Sequence, residues 1–231
     1  MTIFKLKQLA SNSVYAARDV IGWNYDRAEL IADGVVHVVG VLFGLIAATV
    51  LVVLTAIYAT PFDIIVVSIY VAGLLAMLSL SATYNLWPVS PTKWVLRRFD
   101  HSAIFVLIAA TYTPLIAEMK ESVFAIALLI GVWCTATVGV VLKLFWPGRF
   151  DRLSVGIYLA MGWSGMMLYH TVTTALPRLA LWFILIGGAL YSLGVIFHTW
   201  RRLRFQNVIW HCFVLLGAAC HYTAVMDLVL T

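Results

Sequence analysis

The chain has 231 residues, 63% hydrophobic and only 11% charged, with a formal net charge of +5. Soluble domains carry about a quarter charged residues; together with a mean hydropathy of +0.99, this excludes a water-soluble globule and indicates a polytopic membrane protein. The basic residues are divided among separate short segments, which suits loops facing anionic lipid and argues against nucleic acid as a partner.

Residues 1–30 are polar, with apolar positions at helical spacing and no signal-peptide apolar region. They read as a short interfacial helix, so that insertion is expected to begin at the first span. Seven spans of about 20 residues follow, each long enough to cross a hydrocarbon core. They run over 33–58, 64–86, 100–117, 123–145, 153–172, 179–200 and 208–230. Pro61 and Asp63 mark a turn after the first. Lys93, Arg97 and Arg98 lie in a hydrophilic turn after the second, and the third, opened by Asp100, is the shortest. Trp146, Pro147 and Gly148 end the fourth. The expected fold is therefore all-α, a single seven-transmembrane-helix bundle over residues 1–231. Cys134, Cys212 and Cys220 fall in apolar runs without zinc or disulfide spacing and read as buried packing thiols.

Orientation follows from the basic residues. Lys93, Arg97, Arg98, Lys143, Arg149, Arg152, Arg201, Arg202 and Arg204 fall on one side; Lys120 and Arg178 fall on the other. The positive-inside rule places the first set, and the N-terminus, in the cytoplasm. Polar residues of four spans then share the inner-leaflet layer. Glu29, Asp33 and His37 are spaced i, i+4, i+8 on one face of the first helix. Ser81 and Asn85 end the second span, Asp100 opens the third, and Asn207 and His211 open the seventh. Ionisable and amide groups at this depth must face the bundle interior and find partners.

The stretches ELIADGVVHVVG, SATYNLWP, RRFDHSAIFVLIAATYTP, YLAMGW, YSLGVIF and NVIWHCFVLLGAACHYTAV, in this order, resemble the haemolysin III family, the bacterial branch of the progestin and adiponectin Q receptor (PAQR) superfamily. The resemblance implies a seven-span, N-inside protein of the bacterial inner membrane. It implies a zinc held by three histidines, one on the second span and two on the seventh, with an aspartate opening the third span to hold the metal-bound water. Here Ser81 and Asp100 match that pattern, as does His211, but Asn85 and Asn207 stand where two of the histidines belong. An amide oxygen is a far weaker zinc donor than an imidazole, so the expected site is degenerate.

Two arrangements are open for these residues. One is a re-formed zinc site on His211 and Asp100 with His37 or Asp33; the other is a hydrogen-bonded Asn85–Asn207–His211 cluster. Asp100 either orients a catalytic water, with Ser81 as a neighbouring donor, or pairs with Arg97 or Arg98 or caps the third span. Glu29, Asp33 and His37 form either a proton-bearing gate or an anchor for the N-terminal segment. The resemblance implies a role in membrane homeostasis, with membrane lipids as partners and lipid sensing as the leading function. A zinc-dependent lipid amide hydrolase with an altered site and a pore or ion pathway are the alternatives.

Overall fold

The computed structural model describes residues 25–119, 121–200 and 202–231. The expected interfacial helix lies almost wholly outside them. Among the described residues eight α-helices are formed: α1 (Arg27–Tyr58), α2 (Pro61–Leu86), α3 (Pro91–Ala117), α4 (Val123–Phe145), α5 (Asp151–Trp163), α6 (Tyr169–Ala175), α7 (Arg178–Thr199) and α8 (Gln206–Leu230). Among the described residues, six of these, all but α5 and α6, are long and apolar enough to cross a membrane. The fifth segment is composite. A 3-10 turn, Ser164–Leu168, separates α5 from α6, and together the three pieces make the remaining arm of the seven-part bundle. Phe43, Ile46, Phe124 and Trp182 are among many large apolar side chains left exposed, the surface that lipid covers.

The helix starts follow from local chemistry. Asp26 and Glu29 form a capping box on α1, and the Glu29 backbone N–H holds the Asp26 carboxyl below its usual range. Thr60 and Asp63 form a second capping box on α2, with Pro61 at its first position. Ser90 caps α3 just before Pro91. Each pair satisfies backbone N–H groups that a helix end leaves open. Pro61 and Asp63 are thus the first turn of α2 rather than a separate turn.

The third span departs most from expectation. It begins nine residues earlier than Asp100, at Pro91, and runs for 27 residues. It is also the centre of the bundle: 72% of its most apolar stretch is buried, against 17–44% in the other spans. Lys93, Arg97 and Arg98 belong to this helix, and each is used inward. The Lys93 ammonium donates to the carbonyls of Asn85 (3.0 Å) and Trp87 (2.8 Å) at the end of α2. Arg98 donates to the Leu144 carbonyl at the end of α4, at 3.1 Å. Cations at helix C-termini meet open carbonyls and the negative end of the dipole.

Close approach of α2 and α3 depends on Gly73. A Cβ there would stand 2.7 Å from the Ala110 Cβ and 3.6 Å from the Leu107 Cα. Small residues permit such contact between membrane helices. Gly73→Leu should separate the two helices and cost about 2 kcal/mol by overpacking. Thermal unfolding in detergent measures this; an unchanged midpoint would contradict the contact.

Two apolar clusters fill the interior. One joins α1, α2, α3 and α8 around Leu51, Tyr70, Leu74 and Val225. The other joins α3, α4 and the fifth segment around Phe105, Ala109 and Ala136. The break in the fifth segment is stitched to α3 by one hydroxyl: Tyr112 Oη donates toward the Met161 carbonyl (2.9 Å) and accepts the Gly165 N–H (2.8 Å). The cysteines are not buried packing thiols. Cys134 and Cys212 are exposed and Cys220 is half-buried.

Candidate functional site

Between α3, the fifth segment, α7 and α8 lies a cavity of about 400 Å³. Its walls include Glu29, Asp33, Ser81, Asn85, Asp100, Asn207 and His211. His37 sits behind this wall, lining a small adjoining void with Ser81 and His211. Of the residues singled out on four helices, all but His37 therefore line one cavity.

Asp33 is the hub. One carboxylate oxygen accepts from His211 Nδ1 at 2.7 Å and the other from the Asn207 amide at 3.1 Å. Asn207 also donates to Asn85 Oδ1 at 3.2 Å. His37 Nδ1 donates to the Asp33 backbone carbonyl at 2.8 Å, one turn back along α1. Since that carbonyl can only accept, the neutral ring keeps its lone pair on Nε2. Nε2 faces Ser81 Oγ and Asn85 Nδ2, both at 3.3 Å. The His37 and His211 rings meet edge to face, 4.3 Å between centroids. The Asn85–Asn207 hydrogen bond forms, but His211 is bound to Asp33 rather than to either amide.

The other candidates separate from this hub. Glu29 is at the mouth: its carboxylate accepts the backbone N–H groups of Asp26 (2.8 Å) and Phe205 (2.9 Å). Phe205 has a left-handed backbone, φ 58°, at the start of α8, a conformation that costs energy for a bulky residue. Glu29 therefore holds the entry of α8 and does not reach Asp33's partners. Asp100 is buried and faces Ser81. It neither caps α3, which Ser90 does, nor pairs with Arg97 or Arg98. Nor does it join the group of metal-ligating atoms; Asp33, His37 and His211 are the residues whose donor atoms converge.

A second polar centre escaped the sequence reading. Asp151, the first residue of α5, bonds Arg97 of α3 and accepts from Lys143 Nζ of α4 at 2.7 Å. Both cations are buried. The signal was present as an acidic residue inside a basic run, Arg149-Phe150-Asp151-Arg152, but such a run normally reads as a solvated loop. Toward the other end of the bundle, Asp227 of α8 accepts the Ala180 backbone N–H at 3.0 Å, so it caps α7, which has no side-chain cap of its own.

The fold and the site define a class: a multi-pass, all-helical membrane protein with a buried His–Asp–His centre at one end of an internal cavity. The chain belongs to the haemolysin III family, within the PAQR superfamily. The family model described as "Haemolysin-III related" matches residues 28–222. The hemolysin-3 homolog of Bacillus subtilis (strain 168) is 35% identical over 198 residues, covering 86% of this chain and 93% of that protein. The hemolysin-3 of Bacillus cereus is 30% identical over 202 residues, covering 87% and 92%. The human monocyte to macrophage differentiation factor is 29% identical over 165 residues, covering 68% and 67%.

Proposed function

We propose that this protein senses membrane lipid and acts in membrane homeostasis, residing in the bacterial inner membrane with its N-terminus cytoplasmic. The cavity carries this reading. It combines a polar end, built on Asp33, Asn85, Asn207 and His211, with apolar walls from Ile104, Leu107, Ile108, Leu159, Val195 and Val214. Its volume, about 400 Å³, is in the range of pockets for small ligands. A polar head with an apolar tail matches that division of surface. The fifth segment packs more lightly on its neighbours than the other spans do, which favours entry from the bilayer side.

The family's three-imidazole zinc set does not suit this chain. At its positions stand Asn85, Asn207 and His211, and the two amides are spent on each other and on Asp33. One observation favours a second reading, lipid amide hydrolysis: Asp100 is held beside Ser81 at the polar end of the cavity, where a carboxylate can orient and deprotonate a water.

One experiment separates the two. Protein purified from membranes is extracted and its lipids identified by mass spectrometry, then incubated with ceramide-type amides. A sensor should carry bound lipid, lose it on Val195→Trp, which fills the cavity, and release no fatty acid. Fatty-acid release that disappears with Asp100→Asn would favour the hydrolase. Absence of bound lipid in the unaltered protein would end the sensing reading.

A further inference from the structure

We propose that Asp33, His37 and His211 form a zinc site in which α1, not α2, supplies two of the three ligands. The donor atoms of these three buried residues all lie within 4.8 Å of one another. Atoms bound to one zinc at ~2.0–2.2 Å lie roughly 3.3 Å apart in tetrahedral geometry, so small rotations close the set. Two imidazoles and one carboxylate form a donor set of open zinc sites, with a fourth position free. Magnesium and calcium prefer all-oxygen surroundings, and two imidazoles disfavour them.

The tautomers and the neighbouring amides support this arrangement. His37 Nδ1 lies 3.8 Å from the Asp33 carboxylate and donates to the Asp33 backbone carbonyl, the type of outer hydrogen bond that orients a metal-binding imidazole; a rotation of the ring would bring the Nε2 lone pair to the metal. That lone pair has only long partners, Ser81 Oγ and Asn85 Nδ2 at 3.3 Å. Asn85 Nδ2 is closer to the Ser81 carbonyl, at 3.0 Å, so its bond to His37 is the weaker one. Asn207, in turn, donates to one Asp33 oxygen, leaving the other toward His211. Each amide thus stands against a donor on α1. Ligation by His211 Nδ1 would require the proton it now donates to Asp33 Oδ1 to be released to solvent.

This site stands apart from the lipid reading, because metal content and bound lipid are measured separately. The test uses purified full-length protein exposed to Zn²⁺ and then passed over a column with a weak chelator. Elemental analysis should find one zinc per chain. Asp33→Asn and His37→Gln should each lower retained zinc at least tenfold, whereas His221→Gln, toward the opposite end of the bundle, should keep it. X-ray absorption at the zinc edge of the unaltered protein should show nitrogen and oxygen ligands only. This readout stands even where a variant fails to fold. A protein that stays zinc-free in excess Zn²⁺ overturns the proposal. So does zinc retained by folded Asp33→Asn, a sulfur ligand, or iron bound in preference to zinc.

Discussion

The Asp151→Ala protein is expected to lose about 4 kcal/mol of stability, because it leaves two buried cations without their shared anion. Arg97 is 7% exposed and Lys143 3%; both point at the Asp151 carboxylate. That carboxylate ties α3, α4 and α5 together at the end of the bundle where the fifth segment starts. Removing it strands the charges in a low-dielectric setting, where attraction had offset their desolvation. Asp151→Asn keeps an acceptor but not the charge and should fall between. Adding Lys143→Met to Asp151→Ala should recover part of the loss, since one of the two stranded charges is gone. Thermal unfolding in detergent checks all three. A melting midpoint for Asp151→Ala within a degree or two of the parent would show that water reaches these cations.

Asp33→Ala should be nearly as damaging, at about 3 kcal/mol, for a different reason. Its carboxylate is the only acceptor described for the His211 Nδ1 and one of two for the Asn207 amide. Without it, α1 and α8 lose one of the polar contacts that link them. For a chain of this size the midpoint should fall by roughly 6–12 °C in metal-free buffer. Asp33→Asn offers one acceptor oxygen and should lose less than half as much. A second change, His211→Leu, in the Asp33→Ala background should restore some stability by removing the unpaired ring. If Asp33→Ala and Asp33→Asn melt together, the charge of Asp33 contributes nothing and the His211 contact is a neutral one.

The spans were legible because lipid imposes one rule over long runs: apolar residues for about 20 positions, then a break. The start of α3 was hidden by the same rule. Lys93, Arg97 and Arg98 look like a loop when each charge is assumed to seek water, yet each finds a carbonyl or a carboxylate on a neighbouring helix. The face of α1 bearing Asp33 and His37 was legible from spacing alone. Which of its residues would touch His211 was not. Helical periodicity fixes directions about one axis, and the rotation of α1 against α8 depends on packing that no single-helix pattern contains. The fifth segment was read as one span since its composition is uniformly apolar; the 3-10 turn at Ser164–Leu168 is set by contact with Tyr112, a tertiary cause.

The cations at the ends of α2 and α4 have a consequence for how this protein can be altered. Lys93, Arg97, Arg98 and Lys143 are among the basic residues by which the positive-inside rule orients the chain. The same side chains close helix ends and neutralise Asp151 in the finished bundle. The instruction read by the insertion machinery and the bonds that keep the product intact are therefore written in the same atoms. Under the proposed orientation, a substitution that removes one of these charges also removes a helix-end or carboxylate contact. Arg149, Arg152 and Arg202 lie outside those contacts.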